Sequence, residues 1–301
     1  MNPTLKEAYD EGRKLLQKSD YSGSPSLDAR VILCHALGIT AEHFYAHGND
    51  LILDEAQYQH YLHFLRLRLA HLPVAYITGT KEFMGIPFAV DRSVLIPRPA
   101  TETLVEEALA CLEKSDTGRP PRAADLGCGS GNVAISLAFY HPAVTVSAVD
   151  ISPQALKTAR KNLMDISDRF PPLKIDGRVA FYQGDLYGPL PRKLQKSLDL
   201  IVSNPPYVFP SEWASLMDGV RLYEPREALV PPEGVGQIYG RIAAGAAEFL
   251  RPGGSLTVEI GHSQASLVEG IFREAGFIGV STKKDEEGFD RVVSGLVVSG
   301  Q

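Results

Sequence analysis

From about residue 100 onward the sequence predicts an α/β domain, an open and mostly parallel sheet covered by helices. Three observations carry that prediction. Apolar stretches of strand length alternate with amphipathic stretches of helix length. A glycine-rich turn, Gly127-Cys128-Gly129-Ser130-Gly131, joins one such strand to a helix. An acid, Asp150, closes the next strand. Residues 1–74 show helical periodicity alone and predict a separate small bundle in front of that domain.

The elements follow in order. Leu27 to Leu37 lies between Ser24-Pro25-Ser26 and Gly38, which are helix start and stop signals. A longer helix follows Asp54, with Tyr58, Tyr61, Leu62, Leu65 and Leu69 at helical spacing and Pro73 at its end. Residues 75–99 are punctuated by Gly79, Gly85, Pro87, Pro97 and Pro99. With the β-prone pieces Val74 to Ile77 and Ile86 to Val90, they are expected to form a hairpin-like linker. Residues 100–301 then hold the alternating pattern. Strands are expected at 123–126, 144–149, 179–182, 198–203 and 255–260, and helices at 101–113, 133–140, 153–164 and 239–250.

The chain has 301 residues, 44% of them apolar, enough for two domains with sizeable cores. Its formal net charge of -6 argues against a protein working on bulk nucleic acid, where phosphate contacts demand a basic surface. Cys34, Cys111 and Cys128 are scattered and odd in number, so neither a disulfide framework nor a zinc site is indicated. The N-terminal residues lack an apolar core of signal-peptide type, and no run approaches a membrane span. A soluble, cytoplasmic, monomeric protein without a metal is expected.

Glycines in a strand-to-helix turn permit positive φ and let a ligand approach the backbone closely. The spacing here is G-x-G-x-G. A dinucleotide fingerprint wants G-x-G-x-x-G, with glycine at the position of Asn132. Asp150, about twenty residues on, is placed to accept the hydroxyls of a ribose. A third segment, Gln183-Gly184-Asp185-Leu186, brings Asp185 toward an exocyclic amine and Leu186 against a base. Together these favour a nucleoside cofactor, S-adenosylmethionine before NAD.

The chemistry then points to Asn204-Pro205-Pro206-Tyr207, which follows the buried stretch Leu198 to Ser203. Ligands of open α/β sheets bind at such carboxyl ends, and two prolines end the ladder and stiffen the loop. An amide or aryl amine nitrogen is a weak nucleophile because its lone pair is delocalised. Two acceptors on its two hydrogens would hold it and localise that pair. Asn204 Oδ1 and the Pro205 carbonyl are the expected acceptors, with Tyr207 packing on the flat group. Taken alone, the four residues specify a planar nitrogen and leave open whether it belongs to glutamine or a nucleobase.

Other residues read as structural. His60 and His63 have no ligand set around them, and His262, Trp213 and the charge run Lys283 to Glu287 are expected to pack or face solvent. Arg98, between two prolines, is a candidate for steadying the linker.

The chain as a whole resembles the HemK/PrmC family, the peptide chain release factor glutamine methyltransferases. The resemblance is carried by Leu27 to Arg30, Pro73 to Gly79, Lys81 to Gly85, Val94 to Pro99, the glycine turn, Asn204 to Tyr207, Tyr223 to Leu229, Arg251 to Gly254 and Asp290 to Val293. It implies a Rossmann-like methyltransferase domain with a seven-stranded sheet, joined by a β-hairpin to a helical domain that helps to hold the release factor. It implies N5-methylation of the glutamine in the Gly-Gly-Gln motif of class 1 release factors. Cofactor contacts are implied from Gly127 to Gly131, at Asp150, and near Leu186 and Asn204, and substrate contacts from Asn204 to Tyr207. An amino methyltransferase acting on nucleic acid, a nucleotide-binding oxidoreductase and a non-catalytic adaptor are the competing readings.

Overall fold

The computed structural model describes residues 2–19, 23–114 and 118–298. The described chain divides into two units, one of residues 1–80 with 215–223 and one of residues 81–214 with 224–301.

The first unit is helical. Its helices are α1 (Leu5–Lys18), α2 (Pro25–Leu37), α3 (Ala41–His47), α4 (Glu55–Leu69) and α5 (Val74–Thr78). Local chemistry sets their ends. Thr4 and Glu7 form a reciprocal capping box at α1, and Asp54 and Gln57 form another at α4. Gly38 closes α2 at φ 64°, a backbone that favours glycine. Leu5, Leu16, Ile32, Leu33, Tyr61 and Leu65 are fully buried between α1, α2 and α4. Asp28 and Arg68 pair at 3.0 Å across α2 and α4. Burial pushes the Asp28 carboxyl up, and the arginine opposes that shift.

Two expectations change here. Val74–Thr78 is a helical turn rather than a strand, with Pro73 at its N-cap and the Tyr76 and Ile77 amides donating back to the Pro73 carbonyl. Pro73 also does not end α4. That helix stops at Leu69, where Ala70 caps it.

The second unit begins at Lys81, within a two-stranded ribbon of β1 (Thr80–Phe83) and β2 (Ile86–Ala89), whose turn places Met84 and Gly85 at positive φ. The alternating region follows: α6 (Pro99–Glu113), β3 (Arg122–Leu126), α7 (Asn132–Tyr140), β4 (Thr145–Asp150), α8 (Pro153–Arg169), β5 (Val179–Gln183) and β6 (Leu198–Ser203). A six-residue helix, α9 (Asp218–Tyr223), belongs to the helical unit. There the Tyr223 hydroxyl donates to the Ala70 carbonyl at 2.5 Å, and Asp218 faces His71 at 3.8 Å. The chain then returns through α10 (Val235–Phe249), β7 (Leu250–Glu259), α11 (Ala265–Glu274), β8 (Phe277–Lys284) and β9 (Asp290–Val297).

The main sheet has seven strands in the order β5-β4-β3-β6-β7-β9-β8. β3 pairs in parallel with both β4 and β6, and β9 runs antiparallel between β7 and β8. Every residue of β6 is buried, as a strand covered on both faces requires. One core packs Leu104, Leu137, Leu156 and Leu200 on one side. The other packs Leu126, Ile201, Tyr239, Ile242 and Phe272. Sequence periodicity did not reveal the antiparallel pair β8 and β9. Lys283 and Lys284, expected in a solvated loop, end β8, and Asp285 shapes the turn by accepting from the Glu287 and Phe289 amides.

The tightest seam in the helical unit is at Gly12. A Cβ there would lie 1.9 Å from Tyr61 Oη and 3.0 Å from Leu65 Cδ1, so α1 approaches α4 more closely than any side chain permits. Gly12→Val should therefore lower stability by about 1–3 kcal/mol, the usual cost of overpacking. Urea unfolding followed by the helical circular-dichroism signal measures this, and an unchanged midpoint would contradict the packing described.

Candidate active site

The carboxyl ends of β3, β4, β5 and β6 surround one cavity of about 390 Å³, within the ~300–1,000 Å³ range of small-molecule sites. All its walls come from the α/β unit. Gly127, Cys128, Gly129 and Ser130 line it from the turn after β3, Asp150 from the end of β4, Asp185 and Leu186 from the loop after β5, and Asn204 and Pro206 from the loop after β6. The sequence-derived residues are thus brought together, with Gly131, Pro205 and Tyr207 set just behind the surface.

The glycine turn acts by its shape. Gly127, Gly129 and Gly131 all have positive φ. A Cβ on Gly131 would press on Ile135 Cδ1 at 3.1 Å and Ala159 Cβ at 3.2 Å, so glycine lets α7 and α8 meet. The amides of Gly127 and Cys128 both donate to the Val149 carbonyl, and that of Gly131 donates to the Cys128 carbonyl. These donors are already used. At these positions the turn offers a ligand close approach to the backbone. Burial pushes the Cys128 thiol well up, so it stands in the turn as a small neutral group. The buried amide of Asn162 locks the turn from behind. It donates to the Ser130 and Ala89 carbonyls and accepts from the Ala89 amide. Nothing in the sequence singled out that residue.

Asp150 is a partly committed acceptor. One carboxyl oxygen takes the Gly129 amide at 2.8 Å and the other takes the Ser152 amide at 2.9 Å. Burial raises its pKa, the two amides pull it back, and Glu227 adds to the rise. Each oxygen keeps a lone pair that a diol could meet. Asp185 is paired with Arg241, which also bonds Glu233 at 2.6 Å, and all three line the cavity. An amine reaching Asp185 would have to share it with that guanidinium. Leu186 holds φ at 44°, unusual for a residue with a Cβ, and packs its side chain against the core.

Asn204 and its neighbours are held by a buried polar set. The Asn204 Nδ2 group donates to Thr101 Oγ1 at 3.2 Å, which leaves Oδ1 as the free end of the amide. Thr101 comes from the first turn of α6 and lines the cavity. Pro205 is buried, and among the described residues no donor reaches its carbonyl. Tyr207 lies elsewhere than expected. Its ring packs on the core behind the loop, its hydroxyl donates to Glu259 Oε1 at 3.1 Å, and its carbonyl accepts from Gln264 Nε2 at 2.7 Å. Burial and the neighbouring carboxylate push its phenol up. Arg98 pairs with the buried Glu224, which also accepts the Ile96 amide at 3.0 Å. That carboxylate fastens the segment before α6 to the stretch after residue 223. Trp213 sits under the Arg226 guanidinium, 5.1 Å from its ring centre, and is no part of the cavity wall.

The residues fit a nucleoside. The cradle left by the glycines, the strand-end carboxylate and an acceptor loop form one continuous surface. Among the described residues no group of His, Cys, Asp and Glu is placed to hold a metal, and no helix is long and apolar enough to cross a membrane.

This is the architecture of a Rossmann-like, S-adenosylmethionine-dependent methyltransferase. Residues 7–79 match the family model described as the PrmC N-terminal domain, and residues 100–217 match that of the methyltransferase small domain. Relatives named release factor glutamine methyltransferase include one from Bordetella pertussis, 39% identical over 276 residues that cover 91% of this chain and 96% of the relative. Another, from Geobacter sulfurreducens, is 36% identical over 297 residues, 98% of this chain and 97% of its own. The chain belongs to the release factor glutamine methyltransferase family. Among solved structures, the catalytic domain of hMettl16 in complex with a MAT2A 3'UTR hairpin shares the fold at a TM-score of 0.55 and 13% identity, covering 78% of this chain and 84% of that one. A methyltransferase from Pyrococcus furiosus does so at 0.50 and 15%, covering 73% and 92%.

Asp125 supplies a pH test of this cavity. It is buried at the cavity floor, accepts the Ala134 amide at 3.1 Å, and burial with the nearby Asp150 charge pushes its pKa up to about 7. Unfolded, an aspartate titrates near ~4. Between those values the folded state keeps a proton that the unfolded chain has lost, so this group's contribution to stability falls as pH rises from about 4 to about 7. Asp125→Asn should remove that dependence. Without added cofactor, its stability relative to wild type should improve by about 2–4 kcal/mol between pH 4.5 and pH 8 in urea titrations. A difference independent of pH would show that Asp125 is not strained by burial.

Proposed function

We propose that this protein transfers the methyl group of S-adenosylmethionine to N5 of the glutamine in the Gly-Gly-Gln motif of class 1 peptide chain release factors. Family membership supports the substrate class. The observation that carries the chemistry is the fixed Asn204 amide, whose nitrogen is occupied by Thr101 and whose oxygen is left for a ligand.

When bound, S-adenosylmethionine supplies an electrophilic methyl and keeps the thioether as leaving group. Gly127 to Gly131 give the backbone approach, Asp150 accepts the ribose hydroxyls, and Asp185 and Leu186 border the base. Asn204 Oδ1 and the Pro205 carbonyl accept the two hydrogens of the glutamine carboxamide. Those bonds aim the nitrogen in line with the methyl and favour localisation of its lone pair. On accepting the methyl the carboxamide nitrogen would become cationic. It then releases one proton, so no base is required before transfer. Pro206 forms the wall beside it, and Tyr207 braces the loop from behind. The helical unit would engage the rest of the release factor. The protein would act as a cytoplasmic monomer without direct contact to nucleic acid.

With methyl-labelled S-adenosylmethionine, a release factor should take up label and DNA should not. Label on DNA alone would replace this reading by the nucleic-acid alternative. Asn204→Ala should lower turnover by about 100-fold or more, the scale seen when a preorganised hydrogen-bond partner of the transition state is removed. Its dissociation constant for the cofactor should stay within a few-fold. Asp150→Ala should behave the opposite way, weakening cofactor binding about 10–100-fold, as expected for lost hydrogen bonds to a charged acceptor. Isothermal titration of each variant separates the two roles, and an Asp150→Ala protein that binds normally would remove the ribose assignment.

A further inference from the structure

We propose that Tyr187 is a positioning residue for the nucleobase end of the cofactor cavity, and that Gly245 on α10 is the seat that sets it. The inference rests on the functional reading above, which places the base beside Asp185 and Leu186.

A strained residue stands in that wall. Leu186 lines the cavity with φ at 44°, a left-handed backbone that a Cβ disfavours. Such a conformation persists where its surroundings over-determine it. Here both neighbours of Leu186 are tied to one helix, α10.

The tie on the cavity side is ionic. Arg241 bonds Asp185 through one nitrogen and Glu233 through another, and all three line the cavity. Arg241 and Asp185 are 45% and 54% exposed, so solvent screens the pair. It orients the carboxylate, and the loop needs a firmer hold.

Tyr187 supplies that hold from the core side. Its ring stacks on Phe249 with centroids 5.2 Å apart, and its hydroxyl donates to the Ile242 carbonyl at 2.7 Å. The ring lies over Gly245, where a Cβ would stand 2.3 Å from both Cδ2 and Cε2. Gly245 is inside α10 and has no positive φ, so its backbone does not call for glycine. Glycine weakens a helix interior; here it makes room for the ring. The spacing of Ile238, Arg241, Ile242 and Gly245 puts all four on one helix face. Ile238 and Arg241 line the cavity, and the Tyr187 seat follows one turn on. The Gly188 amide donates to the Asp185 carbonyl at 3.0 Å, closing the loop as a tight turn. A shift of Tyr187 is thereby passed to Asp185 and Leu186.

Gly245→Ala tests this by lifting the ring from its seat. In isothermal titrations of the full-length protein, S-adenosylhomocysteine should bind about tenfold more weakly, the scale of an overpacked contact. S-inosylhomocysteine carries a carbonyl where adenine carries its amine, and a carboxylate can only accept. Wild type should therefore prefer the adenosyl ligand by about tenfold. Gly245→Ala should shrink that preference by about threefold or more, because the base end alone moves. Tyr187→Leu, which empties the seat, should shrink it too. In the Tyr187→Leu background, adding Gly245→Ala should cost less than about threefold, since the displaced ring is gone. With a release factor and saturating S-adenosylmethionine, kcat of each variant should stay within about threefold of wild type. Unchanged binding in Gly245→Ala, an unchanged preference in Tyr187→Leu, a loss shared equally by both ligands, or additive losses in the double variant would each overturn the proposal. A wild type without base preference would remove the placement of the base at Asp185, and this proposal with it. A wild type that methylates no release factor would remove the substrate reading alone, and the titrations would still decide whether Tyr187 sets the base end.

Discussion

The pairing of β3 between β4 and β6 is the constraint on which the site depends. From β3 the chain steps outward to β4 and β5, then crosses back to β6 on the other flank. The loops leaving β3 and β6 therefore diverge, and a crevice opens at their carboxyl ends. Backbone hydrogen bonds fix the register, with Leu126 beside both Val149 and Ser203. The glycine turn begins one residue past Leu126, and Asp150 and Asn204 stand one residue past Val149 and Ser203, so all three are thereby set on one rim. Ser203 adds a side-chain tie, its hydroxyl donating to the Leu126 carbonyl at 2.6 Å.

Buried polar side chains refine what the ladder positions. Asn162 satisfies three backbone groups from the turn and the ribbon. Asp199 accepts from the Arg119 and Arg251 side chains and the Arg122 amide at the opposite end of β6. Glu224 does the same for the segment leading into α6. Each would cost stability if left without partners in a low-dielectric interior, and each is matched to its donors. These residues keep the irregular loops from being loose ones.

Much of this was legible in the sequence because it is local. Ser24, Gly38, Asp54 and the glycine turn announce themselves by composition, and the run Leu198 to Ser203 reads as a buried strand because it is buried on both faces. Asp150 and Asn204 were legible as strand-end residues, and both line the cavity there. What could not be read depends on residues distant in the chain. Tyr207 offers an aromatic face in sequence, yet it turns to the core because Glu259 and Gln264, more than fifty residues away, satisfy it. Thr101 is an ordinary residue of a helix start until it meets Asn204, 103 positions on. Val74 to Ile77 misled for a different reason: β-branched and aromatic content is a weak preference, and here the chain closes a helical turn onto the Pro73 carbonyl instead.

The excursion at residues 215–223 bears on how the molecule is made. The helical unit draws its last helix from beyond β6, where Tyr223 and Asp218 meet Ala70 and His71. A chain that emerges from its N-terminus tends to fold domain by domain in that order. Here the first unit stays incomplete until residue 223 has been synthesised, by which time the strands up to β6 have already been made. The order of synthesis and the order of completion are thus decoupled. Truncating the chain after residue 80 would yield a bundle lacking one of its own helices rather than an independent domain.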